Sequence, residues 1–342
     1  MLLFDIINQK ELKQLTSISN EITKQLQNKK NLLAFSAGID SSALFFLLIE
    51  HEIPFDIALV NYNLRDEAKH EEAYATELAK THNLKSHITH APQWQSNFEK
   101  NARDFRYNFF DTLMTNYDNL LTAHQLNDQL EWFLMRFTKG AGSSELMGLE
   151  TFSQRKNYTL IRPLLNYSKE DLLNYLHQHQ HHYFVDKSNQ SDRYERNRFR
   201  KNFSDKLLTE YQKGIQHSFQ YLKEDKKALL EGVKEIFHEK ELYVIAYKLK
   251  HQKIRIVDKY LKKLGYLLSA QQRKELMKEE SMVMGGLWSI ECIREKIFIA
   301  PYRTVSMPKP FKEECRTLKI PSKIRAYLYE ESINPKVLVA SY

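Results

Sequence analysis

The chain has 342 residues, 42% hydrophobic and 12% aromatic, which allows two or three globular domains and excludes a disordered or fibrous chain. Its formal net charge of +8 suits a polyanionic partner, although charge alone names none. The two cysteines, Cys292 and Cys315, form no C-x-x-C, which argues against a zinc knuckle or persulfide chemistry and for a reducing compartment; with no apolar run long enough for a membrane span, a cytoplasmic protein without a membrane partner is expected.

In chain order, Leu12, Leu15, Ile18, Ile22 and Leu26 fall at helical spacing and predict an amphipathic helix leading into the first strand. The apolar run from Leu32 to Phe35 predicts a buried strand, and residues 43–49 predict the helix that packs back onto it. Between them stand Ser36, Ala37, Gly38, Ile39, Asp40, Ser41 and Ser42. A turn at a helix N-terminus points backbone N–H groups at one spot, which makes a phosphate cradle; the plain alternative is an ordinary strand-to-helix turn. Gly-Lys-Ser/Thr and G-x-G-x-x-G are both missing, so neither the Walker loop nor the dinucleotide fingerprint applies. An aspartate beside phosphates would repel them unless a cation bridges the two, which makes Asp40 the candidate ligand for Mg²⁺ bound with phosphate oxygens. The stretch resembles the S-G-G-x-D-S signature of the ATP pyrophosphatases, which cut ATP between its α and β phosphates. Ala37 stands where that signature has glycine, and a negative φ is expected there.

Residues 55–62 predict a second strand, 67–82 a polar helix, 86–90 a strand, 97–117 a long helix and 120–123 a strand running into a helix from Leu126. This alternation predicts an α/β fold, a parallel sheet flanked by helices, with ligands at the carboxyl ends of the strands. Residues 36–42, 61–65 and 124–128 lie at such ends. Arg103 and Arg106 share one helix face, as anion ligands or as a solvated charged face. Asp128 and Glu131 also share a face, near the phosphate loop; helix capping by Asn127 or Asp128 is the alternative. Residues 186–201 mix basic and aromatic side chains and read as an RNA surface or a solvated face. His177, His179, His181 and His182 sit at a polar helix end without a Cys or carboxylate cluster nearby in sequence, so no metal site is expected of them.

In order and spacing, Ser36-Ala-Gly-Ile-Asp-Ser, Asn63-Leu64-Arg65, Ala102-Arg103-x-x-Arg106-Tyr107, Ala123-His124-x-x-x-Asp128-Gln129-x-Glu131, Gly140-Ala-Gly142 with Leu146-Met-Gly148, Ile161-Arg162-Pro163-Leu164-Leu165 and Tyr194-x-Arg196-Asn197-x-x-Arg200 resemble the tRNA(Ile)-lysidine synthases over roughly residues 30–210. Residues 254–278 and 311–325 are more weakly similar to that family's helical middle and small C-terminal domains. The resemblance implies an adenine nucleotide alpha-hydrolase-like catalytic domain over 1–210, a helical tRNA-binding domain over 211–285 and a small α+β tRNA-binding domain over 286–342. It implies that ATP adenylates the C2 oxygen of the wobble cytidine of an isoleucine tRNA with a CAU anticodon. Free L-lysine then displaces AMP through its ε-amine. It carries over Ser36 to Ser42 as the ATP and Mg²⁺ loop, Asp40, Arg106, His124, Asp128 and Glu131 as catalytic residues, and Arg103, Arg193, Arg196 and Arg200 as tRNA contacts, joined by basic residues such as Lys259, Lys262, Lys263 and Arg273.

The chain departs from the family at Asn127, where paired aspartates are usual. At pH 7 a lysine amine is neutral only about once in 2,500, a cost of roughly 4.6 kcal/mol, so Asp128 and Glu131 are assigned to hold the ammonium and accept its proton. A tRNA thiolase of the same fold would need cysteines near the nucleotide, and Cys292 and Cys315 are far from the loop in sequence. A tRNA-binding protein that has lost catalysis is the other alternative. The assembly state, a homodimer included, stays open.

Overall fold

Short apolar runs divided by helix-patterned stretches close into a sheet whose central strands bury both faces and so need helices on both sides. The computed structural model describes residues 17–63, 67–155, 157–185 and 195–338, and it divides into two units, Met1–Leu222 and Lys223–Tyr342. In the first unit α1 (Asn20–Leu26), capped by the Ser19 side chain, leads into β1 (Asn31–Ala34). Ile18, Ile22 and Leu26 are buried as the spacing predicts; Leu12 and Leu15 lie outside the described residues. Next come α2 (Ile39–Glu50), β2 (Asp56–Asn61), α3 (Glu67–Thr81), β3 (Ser86–His90), α4 (Phe98–Leu113), β4 (Asn119–Leu121) and α5 (Leu126–Phe137). They are followed by α6 (Ser143–Leu146), β5 (Phe152–Gln154), β6 (Thr159–Ile161), α7 (Lys169–Gln178) and α8 (Glu195–Phe199), a π-helical turn (Arg200–Ser204) and α9 (Asp205–Leu229).

The strand order is β3-β2-β1-β4-β6-β5, parallel except for the β5–β6 pair. Leu33, Ile57, Leu121 and Ile161 share one core cluster with Leu44 and Leu48 of α2 and Leu172 and Leu176 of α7. Their neighbours Leu32, Ala58, Leu120 and Leu160 share another with Phe110 of α4 and Met114. The order reverses between β1 and β4, the point where open parallel sheets bind ligands.

Gly148, one of the motif glycines, sits against the Trp132 indole of α5: a Cβ added there would lie 1.8 Å from Nε1. Gly148→Ala is expected to cost about 1–3 kcal/mol through overpacking, and calorimetry should show a thermal midpoint lowered by several degrees. An unchanged midpoint would contradict this packing.

The second unit is built on β7 (Lys234–Glu239), β8 (Leu242–Ala246), β9 (Ser281–Met284), β10 (Trp288–Ile293) and β11 (Lys296–Pro301), an antiparallel sheet in the order β7-β8-β11-β10-β9. Along β8 and β11 alternate residues enter different cores. Tyr243, Ile245, Ile297 and Ile299 pack with α10 (Gln252–Lys263) and α11 (Ala270–Lys278). Leu242, Val244, Phe298 and Ala300 pack with α12 (Lys309–Thr317) and α13 (Ser322–Glu330). Helices over 254–278 and 311–325 are thus present, but the expected helical domain over 211–285 also contains three strands of this sheet. A boundary at residue 285 would cut between β9 and β10, which pair through Met284 and Trp288. The continuous apolar runs of β8 and β11 hide their period of two because both faces are covered. Among the described residues no helix is long and apolar enough to cross a membrane.

Candidate active site

The phosphate loop is held by its own serines. Ser41 Oγ accepts from the Ser36 backbone N–H at 3.2 Å, shares a hydrogen bond with the Ser36 hydroxyl at 3.1 Å and donates to the Gly38 carbonyl at 3.2 Å. Gly38 is the N-cap of α2 with φ −78°, and a Cβ there would meet Ser36 Oγ at an ordinary 3.5 Å, so the turn itself does not require glycine at this position. Ala37 corrects the expectation of a negative φ: its φ is +57°. The cause lies far along the chain. The Ala37 carbonyl accepts from the Phe184 N–H at 2.8 Å, Gly38 bridges to Phe184, and the alanine methyl is fully buried in the core. Burial offsets a left-handed cost of about 1–2 kcal/mol.

Two oxygens of this loop are buried without a hydrogen-bond partner among the described residues: Asp40 Oδ1 and Ser42 Oγ. Burial first, and then the neighbouring Asp128 carboxylate, push the Asp40 carboxyl up to about 7; Lys169 and Arg200 pull it back, and Glu131 adds to the rise. An orphaned carboxylate and a hydroxyl at a helix N-terminus are hard oxygen donors that fit Mg²⁺ carried by a phosphate ligand. Lys169, which gave no signal in the sequence, thus belongs to the surroundings of Asp40.

At the end of β4, Gln125 caps α5. Its side chain accepts from the Asn127 N–H at 2.7 Å, and Asp128 Oδ2 accepts from the Gln125 N–H at 3.0 Å. Capping therefore occupies one oxygen of Asp128, while its Oδ1 accepts from Arg196 and lies 3.4 Å from the Arg200 guanidinium. Glu131, fully buried one turn on, takes Arg196 Nε at 2.7 Å and Arg200 Nε at 2.5 Å. Burial alone would raise the Asp128 carboxyl; Arg196 above all, with the Gln125 N–H and Arg200, outweighs it and holds it below the ordinary carboxylate range. Two arginines expected on a tRNA surface thus face inward on the carboxylates. The π-helical turn contributes, since the Asp205 N–H reaches five residues back to the Arg200 carbonyl. Asn127 is structural in the same place: its amide donates to Asp205 at 2.8 Å and its oxygen accepts from the Lys169 N–H at 3.1 Å. An aspartate at 127 could not donate to Asp205.

The Arg106 charge opposes the rise that burial gives the Tyr62 phenol, and its guanidinium lies over the Tyr107 ring, 5.8 Å from its centre; Arg103, exposed, lies 5.2 Å from the same ring. His124 shares a hydrogen bond with Thr122 at 3.0 Å, and burial, opposed by Asp128 and helped by Arg162, pushes its imidazole down to about 4, so it is neutral at neutral pH. Arg193, Arg65 and Tyr194 lie outside the described residues. In the second unit Lys262 and Arg273 pair with the buried Asp258 and Lys263 covers the Tyr260 ring, so these cations also serve packing.

The model of the PP-loop domain matches residues 8–207. The tRNA(Ile)-lysidine synthase of Campylobacter jejuni (strain RM1221) is 45% identical over 93% of this chain and 98% of its own length. Those of Wolinella succinogenes and Helicobacter pylori (strain ATCC 700392 / 26695) are 44% and 42% identical, over 91% and 90% of this chain and 96% and 91% of theirs. With a PP-loop whose carboxylate stands beside a second, arginine-clamped acidic pair, and with relatives matched almost end to end, this chain belongs to the tRNA(Ile)-lysidine synthase family.

Proposed function

We propose that the chain uses ATP to join L-lysine to C2 of the wobble cytidine in an isoleucine tRNA with a CAU anticodon. The observation that carries this reading is the unpartnered Asp40 oxygen standing beside the Asp128 and Glu131 carboxylates in a PP-loop protein of this family. In the first step the cytidine C2 oxygen attacks the α-phosphorus and pyrophosphate leaves; in the second the lysine ε-nitrogen attacks C2 and AMP leaves. The N–H groups at the start of α2 bind phosphate, with Asp40 and Ser42 as the residues that would hold Mg²⁺. That ion, when bound, neutralises charge on the departing pyrophosphate.

Asp128 is proposed as the group that holds the lysine ammonium and takes its proton. With Arg196 on it, its carboxyl is a poor base. The Arg196 side chain is 42% exposed, and we infer that it turns from Asp128 to phosphate when substrate binds. Its departure leaves burial less opposed and raises the Asp128 carboxyl, which makes it a better proton acceptor as the amine arrives. Arg196→Gln is therefore expected to slow adenylation by about tenfold or more while leaving the lysine KM unchanged or lower, as measured by pyrophosphate release and lysine titration. A raised lysine KM with normal adenylation would refute the exchange. Exposed Arg103, together with Arg193, is proposed to meet tRNA phosphates, and the two buried, unpaired cysteines suit a reducing cytoplasm.

The direct test is incorporation of labelled lysine into a CAU-anticodon isoleucine tRNA transcript, with and without ATP, against a transcript with uridine at the wobble position. ATP-dependent labelling of the cytidine transcript alone is expected. Binding of both without labelling would favour a chain that has lost catalysis.

A further inference from the structure

Four clustered histidines without a Cys or carboxylate cluster in the local sequence gave no reason to expect a metal site. The fold supplies the carboxylate from 129 residues away, at the C-terminal end of α2. Glu50, His179 and His181 each offer one ligand atom, and these atoms lie within 4.8 Å of one another. Glu50 Oε1 stands 3.6 Å from His179 Nδ1. Ligand atoms 2.0–2.1 Å from a tetrahedral Zn²⁺ lie about 3.3 Å apart, so the Glu50–His179 pair is nearly in place and the third group closes by about 1.5 Å at most.

The surroundings hold these groups in position. The Tyr175 hydroxyl donates to Glu50 Oε1 at 2.6 Å and orients the carboxylate, as groups behind metal ligands do. The His181 ring stacks on Phe46 with centroids 3.5 Å apart and planes 4° from parallel. The backbone N–H groups of His179 and His181 are tied to the Tyr175 and Leu176 carbonyls. An ion pair between Glu50 and His179 would account for two of the three groups. It would leave His181 Nε2, buried and without a hydrogen-bond partner among the described residues, unexplained.

We propose that Glu50, His179 and His181 bind one divalent transition-metal ion, Zn²⁺ by the chemistry of two imidazoles and a carboxylate, at the end of α2 opposite the phosphate loop. The eleven-residue rise of α2 separates the two sites by about 16 Å. Three residues after His181 the chain reaches Phe184, whose N–H holds the Ala37 carbonyl. The ion would therefore fasten α2 to the segment that pins the phosphate loop.

The test is calorimetric titration of Zn²⁺ into the full chain with excess Mg²⁺ present to occupy hard oxygen sites, and a parallel titration of Co²⁺ read by its visible absorption. One equivalent is expected. Glu50→Gln and His179→Ala, both at exposed positions that leave the core intact, should each weaken binding by more than about tenfold, and His177→Ala should not. Absence of Zn²⁺ binding, or equal affinity in Glu50→Gln, His179→Ala and the parent, would overturn the site.

Discussion

Asp40→Asn is expected to lower lysidine formation by at least about a hundredfold and, in the same protein, to raise the thermal midpoint of the ligand-free chain at pH 8. The second half follows from linkage. Unfolded, Asp40 ionises near 3.8; folded, near 7. Between those values the unfolded chain has lost its proton while the folded chain keeps it, so Asp40 withdraws stability progressively as pH rises from about 4 to 7, and the full cost, about 2–4 kcal/mol at most, stands above 7. Asparagine carries no charge to desolvate. The gain should therefore be present at pH 8 and vanish at pH 4, as read by thermal melts at both. A gain independent of pH, or retained turnover, would refute the role given to Asp40. His124 acts with the opposite sign: between about 6.5 and 4 the unfolded chain takes up a proton that the buried imidazole refuses, so its contribution is lost on the acid side.

Glu131→Gln is expected to be the most destabilising single change in the site. Glu131 is fully buried and receives both Arg196 and Arg200, and an amide in its place turns N–H groups toward guanidinium N–H groups. Removing one member of a buried charged cluster costs about 3–5 kcal/mol, which for a unit of this size is a midpoint lowered by roughly 6–20 °C. Activity should fall with it even below the melting range, because Arg196 and Arg200 lose their common anchor. Calorimetry and single-turnover adenylation at low temperature separate the two effects. A midpoint within a degree of the parent would show that the cluster is solvated.

The convergence of Asp40 with Asp128 and Glu131 was legible in the sequence because alternating strand and helix patterns imply a parallel sheet, and motifs that follow β1 and β4 must then meet at its carboxyl edge. What stayed hidden depended on residues far apart in the chain. The conformation of Ala37 is set by Phe184, 147 residues on. Arg196 and Arg200 sit in a run whose composition suits an RNA surface, and only the tertiary placement of α8 beside α5 turns them onto carboxylates. Glu50 joins His179 and His181 by the same kind of long-range packing. In the second unit the helices carry a visible 3.6-residue period, whereas β8 and β11, covered on both faces, show no alternation.

The order of the first sheet also has a meaning in time. β1 lies between β2 and β4, and Leu33 pairs with Leu121, so the centre of the sheet cannot close until some 88 further residues have been synthesised. At about 5–20 residues per second that is roughly 4–18 s, during which α2, with Ser41 to Leu48 all destined for burial, has no completed sheet to cover it. The helix that opens on the phosphate loop therefore waits with its apolar side chains uncovered, and slower translation beyond residue 50 would prolong that exposure.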